Sequence, residues 1–140
     1  CPCKQHDMCK VCCDTFVWPA VNTIVELCTT MGFKKILKVF SGNRGFHVWV
    51  LDDRAYDLLE VQRKNMCERL KAMGVCLDEE VTLKSTHLKK MPMTVHASTG
   101  NIARPVGDTF DIERDIIHIS KVTAEQIEEW IQQISNTLND

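Results

Sequence analysis

The chain of 140 residues has almost no net charge, no long apolar run, no internal repeat and no low-complexity tract. A formal net charge of −2 gives no global attraction to a polyanion, so any basic surface must be local. No apolar run is expected to cross a bilayer, and no secretory signal precedes the fold; the distribution of the cysteines fits a reduced, intracellular protein. The length suits one domain, and an apolar fraction of 44% is enough to build a core. The first residue is Cys1 rather than Met, which points to a segment missing upstream.

What is present in quantity is cysteine, eight in all. Cys1, Cys3, Cys9 and Cys12 crowd the first residues, whereas Cys28, Cys67 and Cys76 sit among apolar neighbours and read as small buried hydrophobes. Two close thiol pairs on short loops can converge on one tetrahedral zinc ion at little cost in loop entropy. His6 is an alternative fourth ligand, and adjacent Cys13 a poorer one. The same spacing also allows two disulfides or idle thiols. A zinc held by four protein ligands would be structural, with no open position for substrate.

The rest of the chain alternates helical and extended signals. Residues 14–31 read as a helix, with Ala20, Ile24, Leu27 and Met31 at helical spacing, Pro19 in its first turn or at a kink, and Gly32 as C-cap. Residues 35–40 and 46–51 read as strands joined by the turn Ser41-Gly42-Asn43-Arg44-Gly45. Residues 53–73 read as one helix, with Leu58, Leu59, Val61, Met66, Leu70 and Met73 as its apolar contributors and Gly74 at its end. Residues 75–78 suggest a short strand ending in an acid. Residues 94–96 and 102–106 suggest a second hairpin around 97–101, with Pro105 confining its end to a sheet edge. Residues 123–138 read as a final amphipathic helix, N-capped by Thr123 and buried along Ile127, Trp130, Ile131 and Ile134. The pattern is mixed helix and hairpin rather than a regular βαβ series.

The turn Ser41–Gly45 and His47 carry the chemistry. Glycines let backbone N–H groups approach an anion, Arg44 offers a fixed charged fork for phosphate oxygens, His47 can donate to the same oxygens, and Ser41 adds a hydroxyl. By spacing alone, a plain glycine turn with one exposed arginine is the better explanation of this stretch, since short glycine loops are common. Downstream, Asp78 opens an acidic turn, and Lys90 and His96 lie in Leu88-Lys89-Lys90-Met91-Pro92-Met93-Thr94-Val95-His96. Taken singly, each of these also reads as structural, and His87 is expected to be structural only.

In order and spacing these blocks resemble the small, catalytic subunits of archaeal and eukaryotic DNA primases. Ser41-Gly42-Asn43-Arg44-Gly45-Phe46-His47 is similar to the family's S-G-x-R-G-x-H signature, with the cysteine knuckle upstream and an L-K-x-P-x-S-V-H and T-G-x-x-x-x-P pair downstream. Asn43 stands where many eukaryotic members carry a second arginine. The resemblance implies an α+β primase fold, an antiparallel sheet flanked by helices. Residues 1–13 would form the zinc knuckle, 14–122 a partial catalytic core and 123–140 a C-terminal helix. It implies RNA-primer synthesis on single-stranded DNA from ribonucleoside triphosphates. The partners would be a large helical subunit and a replicative polymerase, in the nucleus if the source is eukaryotic. Arg44, His47 and Lys90 would hold the triphosphate with Ser41 assisting, and His96 would contact the nucleotide. Asp78 would share a catalytic Mg²⁺ or Mn²⁺ pair.

Two departures go with the resemblance. The family's Asp-x-Asp pair, upstream of the knuckle, is absent from these residues, and Asp52 and Asp53 are wrongly placed to replace it, so this stretch alone is expected to bind nucleotide weakly and not to polymerise. A short link through Gly74 replaces the large helical insertion of many eukaryotic members. Two rivals accompany this reading: a zinc-stapled docking or nucleic-acid module without catalysis, and a repair-type primase-polymerase.

Overall fold

A computed structural model describes residues 9–77 and 92–139. The first element, α1, runs over Lys10–Thr30. It is α-helical except at Cys13–Val17, where the chain widens into a π-turn closed by the Trp18 N–H on the Cys13 carbonyl. Pro19 explains the position of this turn. A proline inside a helix donates no hydrogen bond and crowds the carbonyl four residues back, and the wider turn just before it relieves both problems. The helix stops at Gly32, whose φ of +91° suits glycine, and the Phe33 N–H returns to the Cys28 carbonyl at 3.1 Å.

Strands β1 (Ile36–Phe40) and β2 (Phe46–Val50) form the expected antiparallel hairpin, with Phe40 opposite Phe46 and Val39 opposite His47. The short strand β3 (Arg104–Pro105) joins the other side of β1, giving the order β2-β1-β3. Pro105 therefore sits on an edge strand, where its missing N–H breaks no ladder. The architecture is α+β, with helices against an antiparallel sheet.

Two apolar clusters hold it. Cys13, Phe40, Val106 and Phe110 are buried together, with Trp18 and Phe46 packed on them; Phe46 meets Phe110 edge-on at 4.8 Å between centroids. Leu27, Leu70 and Val75 form the second, beside Ile24, Met31 and Met66.

Several expectations need correction. Residues 53–73 are two helices, α2 (Asp53–Tyr56) and α3 (Glu60–Ala72). The break is fixed by ties to another segment. The Asp52 carboxylate accepts the N–H groups of Lys34 and Lys35 at 2.7 to 3.1 Å, and the Arg54 guanidinium donates to the Met31 carbonyl at 3.0 Å. The Gln62 side chain then starts α3 by accepting the Leu59 N–H at 2.8 Å. That phase leaves Leu59, Val61 and Met73 exposed and turns Cys67 and Leu70 inward. Residues 75–77 form no strand, and Cys76 between buried Val75 and half-buried Leu77 is exposed rather than a core thiol.

Helix α1 is also long and apolar enough, by length and composition, to cross a membrane, contrary to expectation. Its inner residues Val21, Leu27 and Cys28 are spent on the core instead.

The last helices are α4 (Ile112–Asp115) and α5 (Ala124–Asn139), with a 3₁₀ turn at Ile119–Lys121 between them. Thr123 caps α5 as expected: its Oγ1 accepts the Gln126 N–H at 3.2 Å, while Gln126 accepts the Thr123 N–H at 2.9 Å. The buried stripe is as expected at Trp130 and in part at Ile134, but not at Ile127 and Ile131. Trp130 is buried under the Arg104 guanidinium, 4.8 Å from its ring centroid, and the Gln133 amide donates to the Val106 carbonyl at 2.8 Å. These two contacts set the rotation of the helix, so Ile131 stays 54% exposed and Ile127 faces solvent as well.

Candidate functional site

The candidate site is built on the turn between β1 and β2 and on residues 94–103, which lie against it. The turn closes with the Ser41 N–H on the Gly45 carbonyl at 2.9 Å. The Ser41 hydroxyl accepts the N–H groups of Asn43 at 3.2 Å and Gly45 at 3.3 Å. Two amides anticipated as anion donors are thus occupied within the turn. The hydroxyl proton of Ser41 remains a donor, since those bonds use only its oxygen lone pairs.

Residues 94–103 fold back as the second hairpin, paired through Val95 and Ile102. The His96 N–H donates to the Asn101 carbonyl at 2.8 Å, and the Gly100 N–H to the His96 carbonyl at 2.9 Å. This hairpin docks on the first turn at Gly42, which has φ +90°. A Cβ placed on Gly42 would stand 3.0 Å from the His96 Cβ and 3.1 Å from the Asn101 carbonyl oxygen. The Thr99 hydroxyl bridges the two stretches, donating to the Gly42 carbonyl at 2.7 Å across 57 positions of sequence.

The His96 ring is oriented from its own loop. Its Nδ1 accepts the Ser98 N–H at 3.3 Å and meets the Ser98 hydroxyl at 3.0 Å. An Nδ1 that accepts an amide proton carries none itself, so the neutral ring holds its proton on Nε2 and offers a donor there.

The structure brings Gly42, His96 and Thr99 into contact, and does not bring Arg44 or His47 into that contact. Arg44 is exposed and borders a cavity of about 460 Å³ lined also by Phe16, Ile24, Phe46 and Leu77. His47 lies across from Val39, on the sheet face opposite Phe46 by strand alternation. Asp78 and Lys90 lie outside the described residues.

For the knuckle, the described part is Cys9 and Cys12. Cys9 is the N-cap of α1, in extended conformation, and Cys12 follows three residues later, buried in its first turn. Their soft thiol donors suit zinc. Cys1, Cys3 and His6 lie outside the described residues. Cys13 is a core residue packed with Phe40 and Phe110, and burial pushes its thiol up to about 11. Asp52, held below the usual carboxylate range by the Lys34 and Lys35 amides, is a structural acid anchoring the hairpin.

Thr99 and Ser98 were not among the sequence candidates. For Thr99 the signal was its place at the head of the T-G-x-x-x-x-P block; for Ser98 it is faint, since small hydroxyl residues are common in turns for local reasons.

The model of the DNA primase small subunit family matches residues 2–71, half of the chain. The DNA primase small subunit of Pyrobaculum calidifontis is 25% identical over 158 aligned positions, covering 84% of this chain and 50% of that protein. The DNA primase small subunit of Caenorhabditis elegans is 34% identical over 96 positions, 66% of this chain and 23% of that protein. That of Saccharomyces cerevisiae is 34% identical over 71 positions, 47% of this chain and 16% of that protein. The chain therefore spans half or less of the length of these relatives. The archaeal alignment is longer than the 140 residues of this chain, so that relative carries residues inside the match with no counterpart here. On the family match and these relatives together, the chain belongs to the DNA primase small subunit family.

Proposed function

We propose that the chain is the nucleotide-handling part of a DNA primase catalytic subunit, which extends an RNA primer on a single-stranded DNA template. The observation that carries this reading is the packing of Gly42 against His96, closed by the Thr99–Gly42 hydrogen bond. It unites two signature blocks that are distant in sequence.

In this reading the primer 3′-hydroxyl attacks the α-phosphate of a ribonucleoside triphosphate, and pyrophosphate leaves. Arg44 and Lys90 neutralise the triphosphate as a planar fork and a point charge. His47 and the Ser41 hydroxyl proton assist, and the His96 Nε2 proton is donated to the nucleotide's sugar or phosphate. Asp78 is the carboxylate of this chain for a Mg²⁺ or Mn²⁺ pair, which when bound supplies charge neutralisation at the reacting phosphate. The knuckle of Cys1, Cys3, Cys9 and Cys12, with His6 as the alternative ligand, binds a structural zinc. The template strand and a large primase subunit are the proposed partners.

The test is a pair of substitutions in the complete protein. Asp78→Asn is expected to abolish primer synthesis while leaving much of the nucleotide affinity. Arg44→Ala is expected to weaken nucleotide binding about tenfold or more, the loss of a charge-assisted contact. Normal priming by Asp78→Asn would remove the metal role.

A further inference from the structure

We infer that Thr99 is a positioning residue that sets the orientation of the Arg44-bearing turn through the Gly42 carbonyl. The inference rests on the reading of Arg44 as the triphosphate-binding arginine.

The Gly42–Asn43 peptide is gripped at both ends. Its carbonyl accepts from Thr99 Oγ1 at 2.7 Å, and its N–H donates to Ser41 Oγ at 3.2 Å. A trans peptide points these two groups in opposite directions, so holding both fixes the rotation of the plane. Arg44 begins one residue later, and that rotation sets where its side chain leaves the turn.

The Thr99 hydroxyl is itself aimed. Its oxygen accepts the Asn101 N–H at 3.1 Å, and its single proton is directed to Gly42. Thr99 is thus fixed by the second hairpin and acts on the first. The Ser41 bonds are local and would survive if the hairpins separated. Gly42 meets Thr99 only because its conformation, at φ +90°, lets the backbone come close to residues 96–103. A glycine turn that is free at its carbonyl end can flip this peptide at little steric cost. The hydroxyl from the other block opposes that freedom. Thr99 makes no contact with the nucleotide in this account; it acts through the turn.

The test uses the complete protein that contains this chain and ATP with Mn²⁺, with affinity read by titration calorimetry and folding by urea melts. Thr99→Val keeps the branched shape and removes the hydroxyl. It is expected to weaken ATP binding by about fivefold to tenfold, the range of one net hydrogen bond. Thr99→Ser restores the hydroxyl and should bind within about twofold of the native chain on the same scale. The deciding measurement is the combination with Arg44→Ala. If Thr99 acts through Arg44, the double variant binds no more weakly than Arg44→Ala alone.

Multiplying losses in the double variant, or native affinity in Thr99→Val beside a weakened Arg44→Ala, would overturn the inference while leaving the triphosphate reading intact. Unchanged binding by Arg44→Ala would remove that reading, and the inference with it. If the valine variant does not fold, Thr99→Ala, which relieves crowding by the second methyl group, takes its place against the same outcomes.

Discussion

Replacing Gly42 by alanine tests the junction of the two hairpins directly. At φ +90° an L side chain is strained, at a cost of about 1–2 kcal/mol. The new Cβ would also stand 3.0 Å from the His96 Cβ and 3.1 Å from the backbone oxygen of Asn101. Neither neighbour is the loose end of a long side chain, so the second hairpin must shift, which costs about 1–3 kcal/mol in comparable overpacked sites. The expected destabilisation is therefore about 2–5 kcal/mol, a large part of the roughly 5–15 kcal/mol that holds a domain folded. In urea the midpoint should fall by about 1–2 M. Gly45→Ala is the internal control. It has no atom within 4 Å of the added Cβ and no left-handed φ, and should lie within about 0.5 kcal/mol of the native chain. Equal effects at the two glycines, or a Gly42→Ala cost below about 0.5 kcal/mol, would refute the reasoning.

Asp115 gives a pH-dependent prediction. Burial alone would raise its carboxyl, but bonds from Arg114 at 2.8 Å and from the Asp111 N–H at 2.8 Å, with the nearby Arg104 charge, outweigh that and hold it below the usual range. A depressed carboxyl contributes stability above its unfolded value, near 4, and loses it as pH falls through the folded one. Asp115→Asn should cost about 3 kcal/mol at pH 7, because it leaves the mostly buried Arg104 without its ion partner. The cost should shrink toward pH 3, and urea melts showing it constant would contradict the account. The zinc proposal predicts about one zinc per reduced chain by mass spectrometry under native conditions. A chelator should remove it and destabilise the start of α1, seen as faster amide exchange; protein purified without zinc and indifferent to chelator would end that proposal.

The sequence was most legible where local chemistry decides the outcome. The first hairpin follows from two β-rich runs around a glycine turn, and the Thr123 cap from a hydroxyl and a glutamine three residues apart. The rotation of α5 was legible only in part: Trp130 is buried as read, but a carbonyl flanking β3 takes Gln133 in place of Ile127 and Ile131. The break between α2 and α3 was hidden for the same reason: no glycine or proline marks it, and the anchors are amides and a carbonyl some 20 residues upstream. At the site, the residue types around the turn could be read from the chain, but the placement of Thr99 could not. A hydroxyl in a polar turn has the same signature whether it serves its own loop or another.

The π-turn in α1 also sets the angular phase of the whole N-terminal end. One residue in an α-helix is about 100° of rotation, and a π-turn accommodates one more residue than an α-turn would. Cys9 and Cys12 lie before it, and Trp18, Leu27 and Cys28 after it. Deleting a single residue between Cys13 and Val17 would restore an ordinary helical ladder there, yet would swing the thiol-bearing end by roughly a quarter of a circle relative to the packed end. Length variation at this point therefore acts as a dial on the direction in which Cys9 and Cys12 face relative to the packed end of the helix.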